Sequence, residues 1–418
     1  MNAAATASLP WEIYDNSLYL SGLLSIGLMS VTMMLAIRPA WLEAPFNGLD
    51  QIYRLHKWTG ILAVVFAVLH WLIEMGDDLI KSMFGRAGRL PEQDFSGFVD
   101  MMRDGAEAIG EWAVYLVVAM LVLTLWKQFP YKLWRYLHRA MPVLYLLLVF
   151  HAVWLAPLVW WQQPVGLLMA LLLTGGSFAS ILSLRGKVGQ SRQVQGTIKS
   201  ISTSATGIIE VDCQLEKKWQ GHRAGQFAFV TFDCSEGAHP FTIASSDQGN
   251  GQVSFQIKAL GDYTKRLDRQ LKIGQSITVE GPYGKFNLKQ CKPNATQIWV
   301  AGGIGVTPFL AWLEELKNQP EYSPVAQMHY STSNSATDPF VTRLEKACSG
   351  LPGIQLHIHD SHQGNKLTAD QLLTQHSKKD AMEVWFCGPT GWAKILEKEL
   401  QERLPGALLF RQEAFELR

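Results

Sequence analysis

The feature that most constrains this chain is a set of five apolar segments within its first 184 residues. They run at 18–37, 55–75, 110–127, 134–154 and 164–184. Each is close to the roughly 20 residues that a helix needs to cross a bilayer. Charge follows the same division: residues 1–184 hold 24 charged residues and 10 of the 15 Trp, whereas residues 185–418 hold 49 charged residues and all five Cys. A membrane half followed by a soluble half excludes a disordered chain, a disulfide-built secreted scaffold and a one-domain cytosolic enzyme. A net charge of +1 gives no nucleic-acid-binding surface. Cys213, Cys234, Cys291, Cys348 and Cys387 are widely spaced with no CxxC, which argues against zinc and fits a reducing compartment. The polar run Trp11 to Asp15, with no basic stretch ahead of the apolar run, predicts neither a cleaved signal peptide nor a further span before residue 18.

The loops set an orientation. Arg38, Arg54 and Lys57 lie between the first two segments. Lys127, Lys132, Arg135 and Arg139 lie between the third and fourth, and Arg185, Lys187 and Arg192 follow the fifth. The loop 76–111 is mostly acidic, and 155–163 is uncharged but carries Trp160 and Trp161. Basic loops face the cytoplasm, so the soluble half is expected there, in a multi-pass protein of a bacterial inner membrane.

The membrane half contains four His: His56 and His70 in the second segment, His138 and His151 in the fourth. Intramembrane ionisable groups are costly and point to function; a neutral imidazole offers a lone pair to a metal. The two segments run parallel, so His56 lies level with His138 and His70 with His151. Fourteen residues of helix cover about 21 Å, room for two haems stacked across the membrane. His56 and His70 share a helix face. The 13-residue interval from His138 to His151 misses a common face by about 140° on an ideal helix. Pro142 is the expected cause of a kink or π-bulge that restores the match. The alternative is four histidines bonded to neighbouring helices.

In the soluble half, short alternating runs at Thr197–Ser202, Ile208–Cys213, Phe227–Phe232, Val253–Lys258 and Ser276–Glu280, punctuated by glycines, predict a small antiparallel barrel. From about residue 296 strands alternate with helices. Gln297–Ala301 and Ala381–Phe386 read as buried parallel strands, Leu310–Lys317 and Trp392–Leu404 as helices. Together they predict a doubly wound nucleotide-binding domain. The expected domains are 1–184, 192–290 and 291–418.

Four runs carry chemistry. Gly302-Gly303-Ile304-Gly305-Val306-Thr307-Pro308-Phe309 follows a strand and opens a helix, where glycines let the backbone approach a pyrophosphate; alone, such a run is equally a tight turn. Cys387-Gly388-Pro389 ends a second strand, where ligands of such sheets bind, or is a buried thiol before a turn. In the barrel, His239-Pro240-Phe241-Thr242-Ile243-Ala244-Ser245 is distinctive but also reads as an ordinary strand. Lys258, Gly261 and Thr264 lead into a short helix, a second anion site or an ordinary cap.

Taken together and in this order, the paired histidines, HPFTIAS at 239–245, GGIGVTPF at 302–309 and CGP at 387–389 resemble the NADPH oxidase and ferric reductase superfamily, specifically its bacterial NADPH oxidase-like proteins. The resemblance covers nearly all of residues 18–418. It implies a transmembrane haem-binding helical bundle followed by a ferredoxin-reductase-like module. It implies FAD on the barrel at His239, Pro240, Phe241 and Thr242, with pyrophosphate near Lys258, Gly261 and Thr264. It implies a nicotinamide dinucleotide at Gly302, Gly303, Gly305 and Thr307, with Cys387, Gly388 and Pro389 beside the nicotinamide. It implies two b-type haems on the four histidines, and Phe415 as the aromatic residue covering the flavin. The implied activity is superoxide-generating NAD(P)H oxidation with O2 as acceptor. A ferric chelate as acceptor, or donation to a partner protein, are the alternatives; no particular partner is indicated.

Three departures qualify this. The run Tyr330-Ser331-Thr332-Ser333-Asn334 carries neither the Arg common in NADPH-selective relatives nor an acid for a ribose 2′-hydroxyl. NADPH is therefore expected to be favoured over NADH by a modest factor only. Glu74 stands where eukaryotic oxidases carry a His beyond the outer haem ligand. With no calcium-binding extension, constitutive activity is expected.

Overall fold

A computed structural model describes residues 8–43, 45–46, 48–85, 89, 95–126, 128–234, 236–261, 263–292, 294–374 and 381–413. The chain divides into two compact units, one taking most of the chain up to Gly189 and the other the chain from Gln190 together with the short stretch 47–50.

The first unit is helical: α1 (Leu9–Ala36), α2 (Ala40–Glu43), α3 (Leu49–Met75), α4 (Asp77–Phe84), α5 (Phe98–Leu125), α6 (Tyr131–His138), α7 (Met141–Leu155) and α8 (Pro164–Leu184). Five stretches are long and apolar enough to cross a membrane: Leu9–Ala36, Leu49–Met75, Phe98–Leu125, Lys132–Leu155 and Pro164–Leu184. Helices α1 and α5 outrun their apolar segments furthest. Helix α1 starts at Leu9 instead of 18, and takes in the polar run, where Trp11 is fully buried and its Nε1 donates to Gly85 O at 3.1 Å. Helix α5 starts at Phe98 instead of 110, because Asp100, Asp104, Glu107 and Glu111 continue the helix without continuing the apolar stretch. The acidic loop also contains α4, braced by the Lys81–Asp77 ion pair.

The fourth span is two helices. Helix α6 ends at His138, Arg139 and Ala140 form a turn, and α7 restarts at Met141. Pro142 therefore lies in the first turn of a new helix, where its missing N–H costs nothing. It does not kink a continuous one. Inside the bundle, Tyr145 is fully buried and hydrogen-bonds Ser30 at 2.8 Å. Gly176 admits it, since a Cβ there would sit 2.1 Å from the Tyr145 hydroxyl.

The second unit opens with an antiparallel barrel: β1 (Gln193–Thr203), β2 (Ile208–Leu215), β3 (Phe227–Thr231), β4 (His239–Thr242), β5 (Gln252–Lys258), the one-turn helix α9 (Leu267–Gln270) and β6 (Ser276–Tyr283). The strand order is β4-β3-β6-β1-β2-β5. A bridge between Ile243 and Phe255 joins the two edges. Alternate residues such as Ile209, Val211 and Cys213 fill the interior.

The α/β part follows: β7 (Ala295–Gly302), α10 (Thr307–Asn318), β8 (Ala326–Thr332), α11 (Pro339–Cys348), β9 (Ile354–Asp360), α12 (Ala369–Leu373), β10 (Ala381–Cys387), α13 (Thr390–Arg403) and β11 (Leu408–Gln412). All five strands are parallel, in the order β11-β10-β7-β8-β9. The order reverses between β7 and β10, so the loops after these two strands flank the crevice where such sheets bind ligands. An aromatic cluster ties barrel to sheet. Trp312 stacks on Phe286 at 5.1 Å, meets Trp385 edge-on at 5.2 Å, and donates from Nε1 to Ala224 O at 3.0 Å. At Gly225, φ is +91° and a Cβ would lie 2.4 Å from that indole nitrogen.

Candidate cofactor sites

The helix break places the membrane histidines in two facing pairs. His56 and His138 have ring centroids 6.2 Å apart with planes at 73°. His70 and His151 are 6.4 Å apart at 87°. Nδ1 of His56 bonds Thr32 O at 2.9 Å, Nδ1 of His70 bonds Leu18 O at 2.9 Å, and Nδ1 of His151 bonds Ala106 O at 2.7 Å. A carbonyl can only accept, so each Nδ1 carries the proton and each Nε2 keeps its lone pair. This is how protein frameworks fix the tautomer of a metal-ligating His. His138 differs: its buried Nδ1 has no partner among the described residues, and its ring stacks on Trp134 at 5.0 Å.

The spacing tests whether a metal fits. A bond of about 2.0–2.1 Å from metal to imidazole nitrogen, with the centroid about 1.1 Å behind that nitrogen, puts two axial rings about 6.2–6.4 Å apart. Both pairs match. Among the described residues, no three His, Cys, Asp or Glu side chains gather as a chelating group. Each pair therefore suits a metal whose remaining ligands come from elsewhere, as in a haem.

The sequence reading missed what seats the rings. A Cβ at Gly110 would lie 2.3 Å from His151 Cε1, and one at Gly22 would lie 3.0 Å from His70 Cε1. Their only sequence signal is a glycine in an apolar helix.

In the second unit, His239, Pro240, Phe241 and Thr242 form β4, paired with β3 from Val230 to Phe227. The His239 ring stacks on Tyr263 at 4.2 Å, and burial pushes the Tyr263 hydroxyl up to about 12. Lys258 is exposed at the end of β5. Gly261 and Thr264 come together, but in a 3-10 turn. The backbone N–H groups of Leu260 and Gly261 both donate to Thr264 Oγ1 at 3.0 Å. Those two amides therefore serve the turn itself.

At the switch point the loops interlock. A Cβ on Gly305 would lie 2.2 Å from Cys387 O, and one on Gly302 would lie 2.9 Å from the Trp392 ring and 3.2 Å from Pro389. A Cβ on Gly388 would lie 3.3 Å from Gly302 N. Gly303 has φ of +55° and open space where a Cβ would be, which leaves its backbone free to meet a ligand. Thr307 is buried and spends its hydroxyl on Ile304 O at 2.6 Å, closing the turn.

Cys387 is buried, and burial pushes its thiol well above the ordinary value, with Glu413 adding to the rise. Glu413 was not singled out in the sequence. Burial pushes its carboxyl well up too, and its Oε2 has no partner among the described residues. A thiol and a carboxyl, each favoured in its protonated form by burial, thus stand at the carboxyl end of β10. Phe415, two residues on, lies outside the described residues.

Comparison with known proteins places the two units among described families. The family described as "Ferric reductase like transmembrane component" matches residues 21–149, and the family "FAD-binding domain" matches residues 193–287. The electron transfer component of anthranilate 1,2-dioxygenase from Acinetobacter baylyi is 21% identical over 48% of this chain and 60% of its own length. The electron transfer subunit of dihydroorotate dehydrogenase B (NAD(+)) from Shouchella clausii is 28% identical over 51% of this chain and 81% of its own. The chain thus spans less than two thirds of the first relative. Flavohemoglobin from Malassezia yamatoensis matches in fold with a TM-score of 0.50 at 14% identity, over 98% of this chain and 100% of that one. Dual oxidase 2 of Rattus norvegicus is 21% identical over 88% of this chain, though over only 25% of its own length. The order of a ferric reductase-like transmembrane part and a FAD-binding part, shared along most of this chain with the dual oxidase, fits this multi-pass membrane chain to the ferric reductase and NADPH oxidase superfamily.

Proposed function

We propose that the chain is a membrane NAD(P)H oxidase with FAD and two b-type haems as cofactors. It takes electrons from a dinucleotide at the α/β domain and delivers them across the bilayer to dioxygen. In balance, one NAD(P)H and two O2 give NAD(P)+, one proton and two superoxide ions. When bound, FAD supplies the change from a two-electron hydride to single electrons, and the haems supply one-electron carriage through the membrane.

The chain's own residues define the rest. His56 and His138 would hold one haem, His70 and His151 the other, through Nε2. Thr32, Leu18 and Ala106 hold three of the four tautomers. Held by two imidazoles, each haem would offer dioxygen no open metal position, which favours release of a one-electron product. Gly303 opens the loop to a pyrophosphate, while Gly302, Gly305 and Gly388 let the β7 and β10 loops touch. Beside the nicotinamide, Cys387 stays a neutral thiol, so it orients and excludes water instead of acting as a nucleophile.

The observation that carries this reading is the pair of centroid distances, 6.2 and 6.4 Å, each matching a two-imidazole metal site. The match to a ferric reductase-like component favours a second reading, in which a ferric chelate is the acceptor. Purified protein supplied with a dinucleotide separates the two. Superoxide-dismutase-sensitive reduction of a probe exceeding ferric-chelate reduction supports the oxidase; a dominant, dismutase-insensitive ferric signal supports the reductase.

A further inference from the structure

A choice between NADH and NADPH rests on the dinucleotide site proposed above, which by itself favours neither. In a doubly wound sheet the adenosine ribose lies beyond the strand next to the glycine-loop strand, where an acid selects a free 2′-hydroxyl and an Arg selects a 2′-phosphate. Here that strand is β8, followed by the loop 333–338. By sequence this loop offers hydroxyls to a phosphate. In the structure the hydroxyls of Thr332, at the end of β8, and of Ser335, in the loop, are already engaged by carboxylates.

Thr332 is buried and donates to Asp338 Oδ2 at 2.5 Å, alongside the Tyr330 hydroxyl at 2.7 Å; Asp338 Oδ1 accepts from Phe340 N at 2.9 Å. Ser335 directs both its N–H, at 2.8 Å, and its hydroxyl, at 2.7 Å, to Asp360 Oδ2. Asp360 comes from the end of β9, 25 residues further along the chain, so sequence proximity could not reveal it. Its Oδ1 accepts from His362 N at 2.9 Å and Gln363 N at 3.3 Å. Backbone bonds Ser361 N to Thr332 O and His362 N to Ser333 O, at 3.0 and 3.2 Å, stitch the two loops together. The Ser335 bonds hold the Asp360 carboxyl down at about 2, so its negative charge is permanent at working pH. The guanidinium on α11, Arg343, is engaged by Glu210 at 2.9 Å.

A 2′-phosphate brought to this loop meets two fixed carboxylates and no guanidinium, and the donors of Thr332 and Ser335 are already committed. A ribose 2′-hydroxyl brings no charge and can donate to a carboxylate rim. We infer that the site selects NADH over NADPH, with Asp360 as the residue that fixes this choice by holding the 333–338 loop in a negatively charged frame. This reverses the modest NADPH preference expected from the sequence.

The test is stopped-flow flavin reduction in the purified full-length protein, loaded with FAD, over a concentration series of each dinucleotide. The wild type is expected to favour NADH at least tenfold in rate constant over dissociation constant. Asp360→Asn should narrow that ratio several-fold through tighter NADPH binding with an unchanged limiting rate, and Asp360→Glu should keep it. Ser335→Arg, which leaves Asp360 in place, should also move the ratio towards NADPH. Equal or better use of NADPH by the wild type overturns the inference, as does an Asp360→Asn ratio equal to the wild type's. Should neither dinucleotide reduce a flavin that dithionite reduces, the dinucleotide site itself is wrong and the inference fails with it.

Discussion

At Gly110 a single methyl group decides whether a histidine ring keeps its place. Its Cβ would fall 2.3 Å from His151 Cε1, too close for any side chain, and the helix backbone cannot yield. Gly110→Ala should therefore tip the ring away from Ala106 O and remove the outer haem as effectively as His151→Leu or His70→Leu. Haem per FAD, measured on the purified variants, should drop from two to one in all three, with flavin reduction by dinucleotide preserved. Full haem content in the two Leu variants would remove the ligand assignment; full content in Gly110→Ala alone would remove only the seat. The histidines were legible because four imidazoles in a membrane half at matched depths admit few explanations. Gly110 and Gly22 were not, because a small residue gains meaning only from the side chain across the helix interface. The carboxyl of Glu413 was hidden similarly: nothing in the chain near it foretells burial beside Cys387.

Elements show the same contrast between local and non-local information. The break between α6 and α7 was foreshadowed by arithmetic, since 13 residues cannot return a straight helix to one face. What the sequence misjudged was the form: a turn at Arg139 and Ala140 with a fresh start at Met141, instead of a kink at Pro142. Helix α4 and the early starts of α1 and α5 were concealed because apolar length marks the membrane, not the helix. Pairing of β8 with β9 brings together a cluster that no local pattern announces. His329 lies opposite His357 in register and stacks on it at 4.7 Å, and its Nδ1 meets His359 Nε2 at 3.0 Å. Burial, then the neighbouring imidazoles His357 and His359, push His329 down to about 3, and burial also lowers His359. The unfolded chain protonates these rings as pH falls through about 6.5 while the folded sheet does not. The stabilisation is thus complete above that pH and lost on acidification, by up to about 1.4 kcal/mol per pH unit for each ring. Thermal unfolding of the α/β domain, followed by tryptophan fluorescence, should shift to lower temperature between pH 7.5 and 5.5. His329→Gln should flatten that dependence; an unchanged slope would show that the cluster titrates as freely in the fold as outside it.

For the whole molecule, the two units are a division of labour legible from charge alone, and the barrel and doubly wound classes followed from periodicity. The strand orders did not: β6 inserts between β3 and β1, and β10 returns to lie beside β7, pairings fixed by contacts distant in sequence. Those pairings are what bring the Gly302–Val306 loop against Cys387 and make one site of two motifs. The central claim is that electrons taken from a dinucleotide at that site cross the membrane by way of the two histidine pairs. Reconstitution into sealed liposomes with cytochrome c trapped inside and dinucleotide added outside tests it directly. The account predicts reduction of the trapped cytochrome, suppressed by superoxide dismutase inside the vesicles and abolished in His70→Leu. Rapid flavin reduction by the added dinucleotide with no reduction of the trapped cytochrome, in a protein carrying its full haem complement, would contradict it.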